Sequence, residues 1–271
     1  MYRLLVVMVI AVGLISGVSF ASAATGVIRF AAVGDPECKD TKLLAEKIKL
    51  VNVNRTLLLG DLGYQDSGGK CVRAAFVGTN AKPAVGNHDK TSAVLDVWDI
   101  SSDIQTYKSG NVRFLSINTE KSAFDQKSRV QNLLNKYKND ATVDWIMPYF
   151  HKCMICSNDA HHPPTEVKNF ASTFIPMFLD NGKVKLVLQA HNHAYQDCTR
   201  DGIKFITVGT GGRPDRGQDE ELGNDKNDNC KNNMIGTDGF LVASITSNEI
   251  VGMFKDLKNN QYDNTKFEIS K

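Results

Sequence analysis

Seven residues of this sequence, Asp35, Asp61, Tyr64, Asn87, His151, His191 and His193, make up a donor set able to bind metal ions. Carboxylate, imidazole, amide and phenolate groups together suit divalent and trivalent cations of borderline hardness. Taken singly, each donor says little. Asp35 after an apolar run, taken alone, is more often a turn or cap residue than a ligand, and Gly60-Asp61 more often a tight turn whose aspartate bonds its own backbone. His191 and His193 say more, because alternate residues of an extended segment point the same way and both imidazoles can face one cluster. The weight lies in the set: Asp, Asp with Tyr, Asn-His, His and His-x-His follow in order, each at the end of a predicted strand. Two cations about 3.5–4 Å apart need a bridging ligand, a role that suits a carboxylate with its two oxygens. Such a pair supports in-line hydrolysis, since one cation activates water and both offset charge on the group attacked.

The elements that must position these residues are readable as apolar runs. Strands are predicted over 27–33, 56–59, 112–117, 143–147, 184–188, 203–208, 240–245 and 250–254, with a short run at 84–85 leading into Gly86-Asn87-His88-Asp89. Helical spacing joins Leu43, Leu44, Ile48 and Val51, then Val130, Leu133, Leu134 and Tyr137, and a helix is predicted over 170–179. Residues 217–233 are rich in Asp, Asn and Glu and read as a surface loop; the calcium-like run 225–229 lacks the glycine and final glutamate of a calcium loop. Strands alternating with helices, then a strand-rich last third, predict an α/β sandwich of two mixed sheets flanked by helices. Ligand sites in such folds gather at the carboxyl ends of strands, where all the polar clusters fall.

Composition narrows the setting. The 271 residues are 42% hydrophobic and 23% charged with a net charge of +2, ordinary globular values that point to neither nucleic acid nor an anionic membrane. Arg3, the uncharged apolar run 4–20 and Ala21-Ser22-Ala23 predict a signal peptide over residues 1–23, or, if uncleaved, a membrane anchor. The single domain predicted over 24–271 then lies outside the cytoplasm. Six cysteines suit that compartment, although six allow about 15 connectivities. The pairing expected is Cys38–Cys71, Cys153–Cys156 and Cys198–Cys230, with a redox or zinc role for Cys153-Met-Ile-Cys156 as the alternative.

Five motifs carry a resemblance: Gly34-Asp35, Gly60-Asp61-Leu62-Gly63-Tyr64, Gly86-Asn87-His88-Asp89, the segment from Trp145 to His151, and His191-Asn192-His193-Ala194-Tyr195. Together they resemble the calcineurin-like metallophosphoesterases, and among them the purple acid phosphatases. The resemblance implies a metallophosphoesterase-type fold, with one metal held by Asp35, Tyr64 and His193, a second by Asn87, His151 and His191, and Asp61 bridging. The phenolate ligand implies Fe³⁺ in the first site, and the imidazole-rich second site suits Zn²⁺, Fe²⁺ or Mn²⁺. His88 is the first candidate for the general acid; His161 and His162, 10 and 11 residues beyond His151, are the second.

The implied activity is hydrolysis of small phosphate monoesters by a metal-bound hydroxide. The alternatives are a phosphodiesterase or nucleotide pyrophosphatase on the same ligands, and a non-catalytic metal-containing binding protein. Iron with tyrosinate also permits redox chemistry, which nothing in the sequence demands. Three departures from the family pattern stand out. Glu37 replaces a histidine and is a possible extra ligand, Ala190 replaces a glycine, and Cys153 replaces a proline. Gly209, Gly211, Gly212 and Thr210 read either as a lining of backbone N–H groups or as a plain turn.

Overall fold

The computed structural model describes residues 26–155, 164–212, 229–235, 237–258 and 260–271. The expected signal segment and the candidate acids His161 and His162 lie outside the described residues. The chain begins with β1 (Ile28–Val33), α1 (Cys38–Leu50), β2 (Arg55–Leu58), α2 (Lys70–Ala75), β3 (Ala81–Pro83) and α3 (Thr91–Val97). Next come β4 (Gln105–Ser109), β5 (Val112–Ser116), α4 (Ala123–Lys138), β6 (Trp145–Lys152), α5 (Pro164–Asn181) and β7 (Leu186–Ala190). The last part holds β8 (Ala194–Arg200), β9 (Ile203–Val208), β10 (Asn229–Ile235), β11 (Gly239–Ile245), β12 (Glu249–Asp256), a 3-10 turn (Asp263–Thr265) and β13 (Phe267–Ser270).

These strands form two mixed sheets, ordered β13-β12-β11-β1-β2-β3 and β10-β8-β9-β7-β6-β5-β4. In the first, β1, β2 and β3 are parallel and β11 joins β1 antiparallel. In the second, β5, β6, β7 and β9 are parallel, while β4 and β8 pair antiparallel with their neighbours. The two-residue period of each strand decides what it packs against. Phe30, Leu57 and Leu59 meet Phe114, Met147, Leu188 and Ile206 between the sheets. The alternate residues Ala31, Val33 and Leu58 meet Leu44 and Ile48 of α1 with Val72 and Val94 of α2 and α3. Leu115, Ile146 and Phe150 meet Val130 and Leu134 of α4 and Phe174 and Phe178 of α5. The result is the expected sandwich with helices on both outer faces.

Several boundaries differ from expectation. His151 lies within β6 rather than beyond it, and residues 84–85 follow β3. In α1, Leu44 and Ile48 are buried, but Leu43 is on the solvent side at 45% exposure and Val51 is the cap. Part of the expected polar loop, from Asn229, is strand β10, paired with β8. Two of the expected disulfides are present, Cys38–Cys71 and Cys198–Cys230. Cys153 is also disulfide-bonded, and its expected partner Cys156 lies outside the described residues. The Cys38–Cys71 bridge ties the starts of α1 and α2 together. Among the described residues no helix is long and apolar enough to cross a membrane.

Candidate metal centre

All seven candidate donors come together at the carboxyl ends of β1, β2, β3, β6 and β7. The turns that deliver them are sharp. Asp35, Asp61 and His191 have φ of 58°, 56° and 72°, the left-handed region that non-glycine residues rarely occupy. Such a conformation costs about 1–3 kcal/mol each and persists only where the surroundings enforce it. Here they do: the Asp35 N–H donates to the Gly60 carbonyl at 3.1 Å, and the His191 N–H donates to Asp35 Oδ2, also at 3.1 Å. Gly86 leaves room for the Asp61 carboxylate, since a Cβ there would lie 2.2 Å from Asp61 Oδ1.

The donors fall into two groups that share Asp61. In the first, the Tyr64 hydroxyl is 2.8 Å from Asp61 Oδ2, 3.1 Å from Asp35 Oδ1 and 3.2 Å from His193 Nε2. His193 Nε2 is 3.3 Å from Asp35 Oδ1. In the second, His151 Nε2 is 3.0 Å from Asn87 Oδ1, 3.2 Å from His191 Nδ1 and 3.2 Å from Asp61 Oδ1. One oxygen of Asp61 therefore faces each group. The opposite ring nitrogen of His151 is 2.9 Å from the Leu59 carbonyl. A carbonyl only accepts, so Nδ1 carries the proton and Nε2 is turned to the cluster.

The electrostatics ask for positive charge at this place. Burial favours a neutral Asp61, yet the charge and hydrogen bond of His151, the His88 N–H and the Tyr64 hydroxyl outweigh it and hold the carboxyl well below the usual range. Burial likewise opposes a charged His151, but the carboxylates of Asp61 and Asp35 push it up to about 10. Burial, then the charges of Asp35 and Asp61, drive the Tyr64 phenol far above its ordinary value. Two buried carboxylates, a phenol and three imidazoles packed this closely are satisfied by cations, and a trivalent ion would reverse the sign of the shift on Tyr64. The donor set fits two metals. Cys38, Asp66 and Cys71 also cluster, but both thiols are spent in the disulfide and Asp66 caps α2 by accepting the N–H groups of Lys70 and Cys71.

His88 stands at the mouth. Its ring lies on that of Tyr64 with centroids 4.6 Å apart, and Nε2 is 4.0 Å from Asp61 Oδ2 with the side chain half exposed. That place suits a group that hands a proton to substrate. Glu37 pairs with Lys39 at 3.2 Å. Of the two readings of the glycine-rich segment, the plain turn fits Gly209 and Gly211, whose N–H groups donate to the carbonyls of Ala194 and Gly34. Their missing side chains matter for a different reason, because a Cβ on Gly209 would sit 2.1 Å from the Asn192 carbonyl oxygen and 2.9 Å from Asp35 Oδ2. Two contributors had no assigned role in the sequence. The Leu59 carbonyl carries no sequence signal. Asp89, the last residue of Gly-Asn-His-Asp, accepts the Gly63 and Gly86 N–H groups at 2.7 and 2.8 Å, and burial raises its carboxyl to about 7.

The sequence profile of the calcineurin-like phosphoesterases matches residues 28–195, the stretch that supplies all seven donors. No curated protein matches the chain in sequence. Among solved structures, GAP50, the anchor in the inner membrane complex of Plasmodium, superposes with a TM-score of 0.73 at 16% identity, covering 90% of this chain and 89% of its own. PhoD superposes with a TM-score of 0.58 at 10% identity, covering 92% of this chain and 70% of its own. At such identities the likeness is one of fold.

Proposed function

Because the chain belongs to the calcineurin-like phosphoesterase family, we propose that it is an exported phosphatase that hydrolyses phosphate monoesters at a two-metal centre. The observation that carries this reading is the division of Asp61 between two donor groups, with Tyr64, Asp35 and His193 on Oδ2 and its neighbours and His151, His191 and Asn87 on the side of Oδ1. Asp35, Tyr64 and His193 would hold Fe³⁺, and Asn87, His151 and His191 would hold Zn²⁺, Fe²⁺ or Mn²⁺. Bound there, the pair supplies Lewis-acid activation of water and neutralises charge on the phosphoryl group.

The chain's own residues do the rest. Asp61 fixes the spacing of the two groups, and the Leu59 carbonyl holds the His151 ring in one tautomer. His88, half exposed beside Tyr64, holds a proton at Nε2 for the departing alkoxide. An extracytoplasmic home is supported by the disulfides, which persist in oxidising compartments.

The test is turnover of p-nitrophenyl phosphate against its bis ester, with metal analysis of the same preparation. Faster cleavage of the monoester with two metals per chain is expected, together with visible charge-transfer absorption from iron and tyrosinate. Faster cleavage of the diester would assign a phosphodiesterase. Metal without turnover on either would assign a binding protein.

A further inference from the structure

The two turns that bear Asp61 with Tyr64 and Asn87 with His88 exchange carboxylates. Asp61, on the first turn, accepts the His88 N–H of the second at 2.8 Å. Asp89, on the second, accepts the Gly63 N–H of the first at 2.7 Å. The other oxygen of Asp89 accepts the Gly86 N–H at 2.8 Å, closing its own turn around Asn87. Both glycines are shaped for this. A Cβ on Gly63 would lie 3.0 Å from Asp89 Oδ1 and 3.1 Å from the His88 carbonyl, and one on Gly86 would collide with Asp61.

Gly63 directly precedes Tyr64, and Gly86 directly precedes Asn87, so each bond ends one residue from a proposed ligand of a different metal. We propose that Asp89 is a positioning residue that fixes the two halves of the metal centre relative to one another. The inference rests on the two-metal reading. Asp89 acts through the backbone of the two ligand turns. Its carboxylate is the only side chain of the described residues bonded to both Gly63 and Gly86 N–H groups. An amide in its place presents one oxygen and one NH₂, so one of the two N–H groups would face a donor instead of an acceptor.

The experiment uses the whole exported chain with Asp89→Asn and Asp89→Glu. Metal affinity is read by chelator competition, and melting temperature is measured with and without metal. The expected result for Asp89→Asn is a fall of about 10–100-fold in affinity for the weaker-held metal, the size usual for outer partners of a metal site. The rise in melting temperature on adding metal should shrink accordingly, while the metal-free melting temperature moves less. Asp89→Glu, with both acceptor oxygens retained, should recover most of the affinity. Wild-type affinity in a folded Asp89→Asn, or equal loss in the two variants, overturns the role of Asp89 alone. A wild-type chain that takes up no metal overturns the two-metal reading and this role with it.

Discussion

His151 and His191 bring ring nitrogens to 3.2 Å of one another from positions 40 residues apart. They do so because β6 and β7 are parallel neighbours and both histidines sit at the same end. Two nitrogen lone pairs at that distance repel unless a proton or a metal lies between them. The same holds for the other close pairs of acceptor atoms in the cluster.

Asp61→Asn removes the charge common to both donor groups. It should eliminate turnover and most of the bound metal while circular dichroism stays that of the wild type. Metal analysis of the purified variant checks this, and two metals per chain would contradict the bridging role.

His88→Ala should leave both metals in place and slow monoester turnover by about 10²–10⁴-fold, the usual contribution of a general acid. Metal loss in this variant would show that His88 is a ligand.

Gly34→Ala should destabilise the fold by about 1–3 kcal/mol through overpacking, because its Cβ would lie 2.3 Å from that of Ala190. Adding Ala190→Gly should restore part of the loss, and denaturant unfolding of the four members of the cycle measures the coupling. The alanine at 190 is thus accommodated by the glycine it faces.

Stability should fall in acid partly through Asp103. Burial would raise this carboxyl, but the Lys121 ammonium and the Asn118 amide outweigh it and hold it below the usual carboxylate range. A depressed folded pKa contributes stability above the unfolded value of about 3.9 and loses it as pH falls through the folded one. Asp103→Asn should therefore be less stable than wild type at neutral pH and show a shallower decline below about pH 4. Urea melts over that range test the sign.

The sequence exposed the site more clearly than the fold. Its donors are rare residue types at strand ends, and the apolar runs behind them, such as the fully buried β5 and β7, are hard to misread. What stayed hidden is the polar edge. Gln105-Thr-Tyr-Lys-Ser forms β4 and the Asn-rich segment forms β10 because each pairs on one side only, so neither needs an apolar pattern. The short helices α2 and α3, with 6 and 7 residues, give too few turns for a period to show. Asp89 was hidden in plain view: its side chain bonds backbone, and no spacing rule marks that.

The left-handed backbones at positions 35 and 61 have an evolutionary reading. Asparagine tolerates that conformation nearly as well as aspartate does, so one base change at either codon could silence the chemistry and leave the chain path intact. Chain path and metal binding are therefore separable by substitution at these two positions. A chain that kept the scaffold alone would be recognised by amides at these two positions.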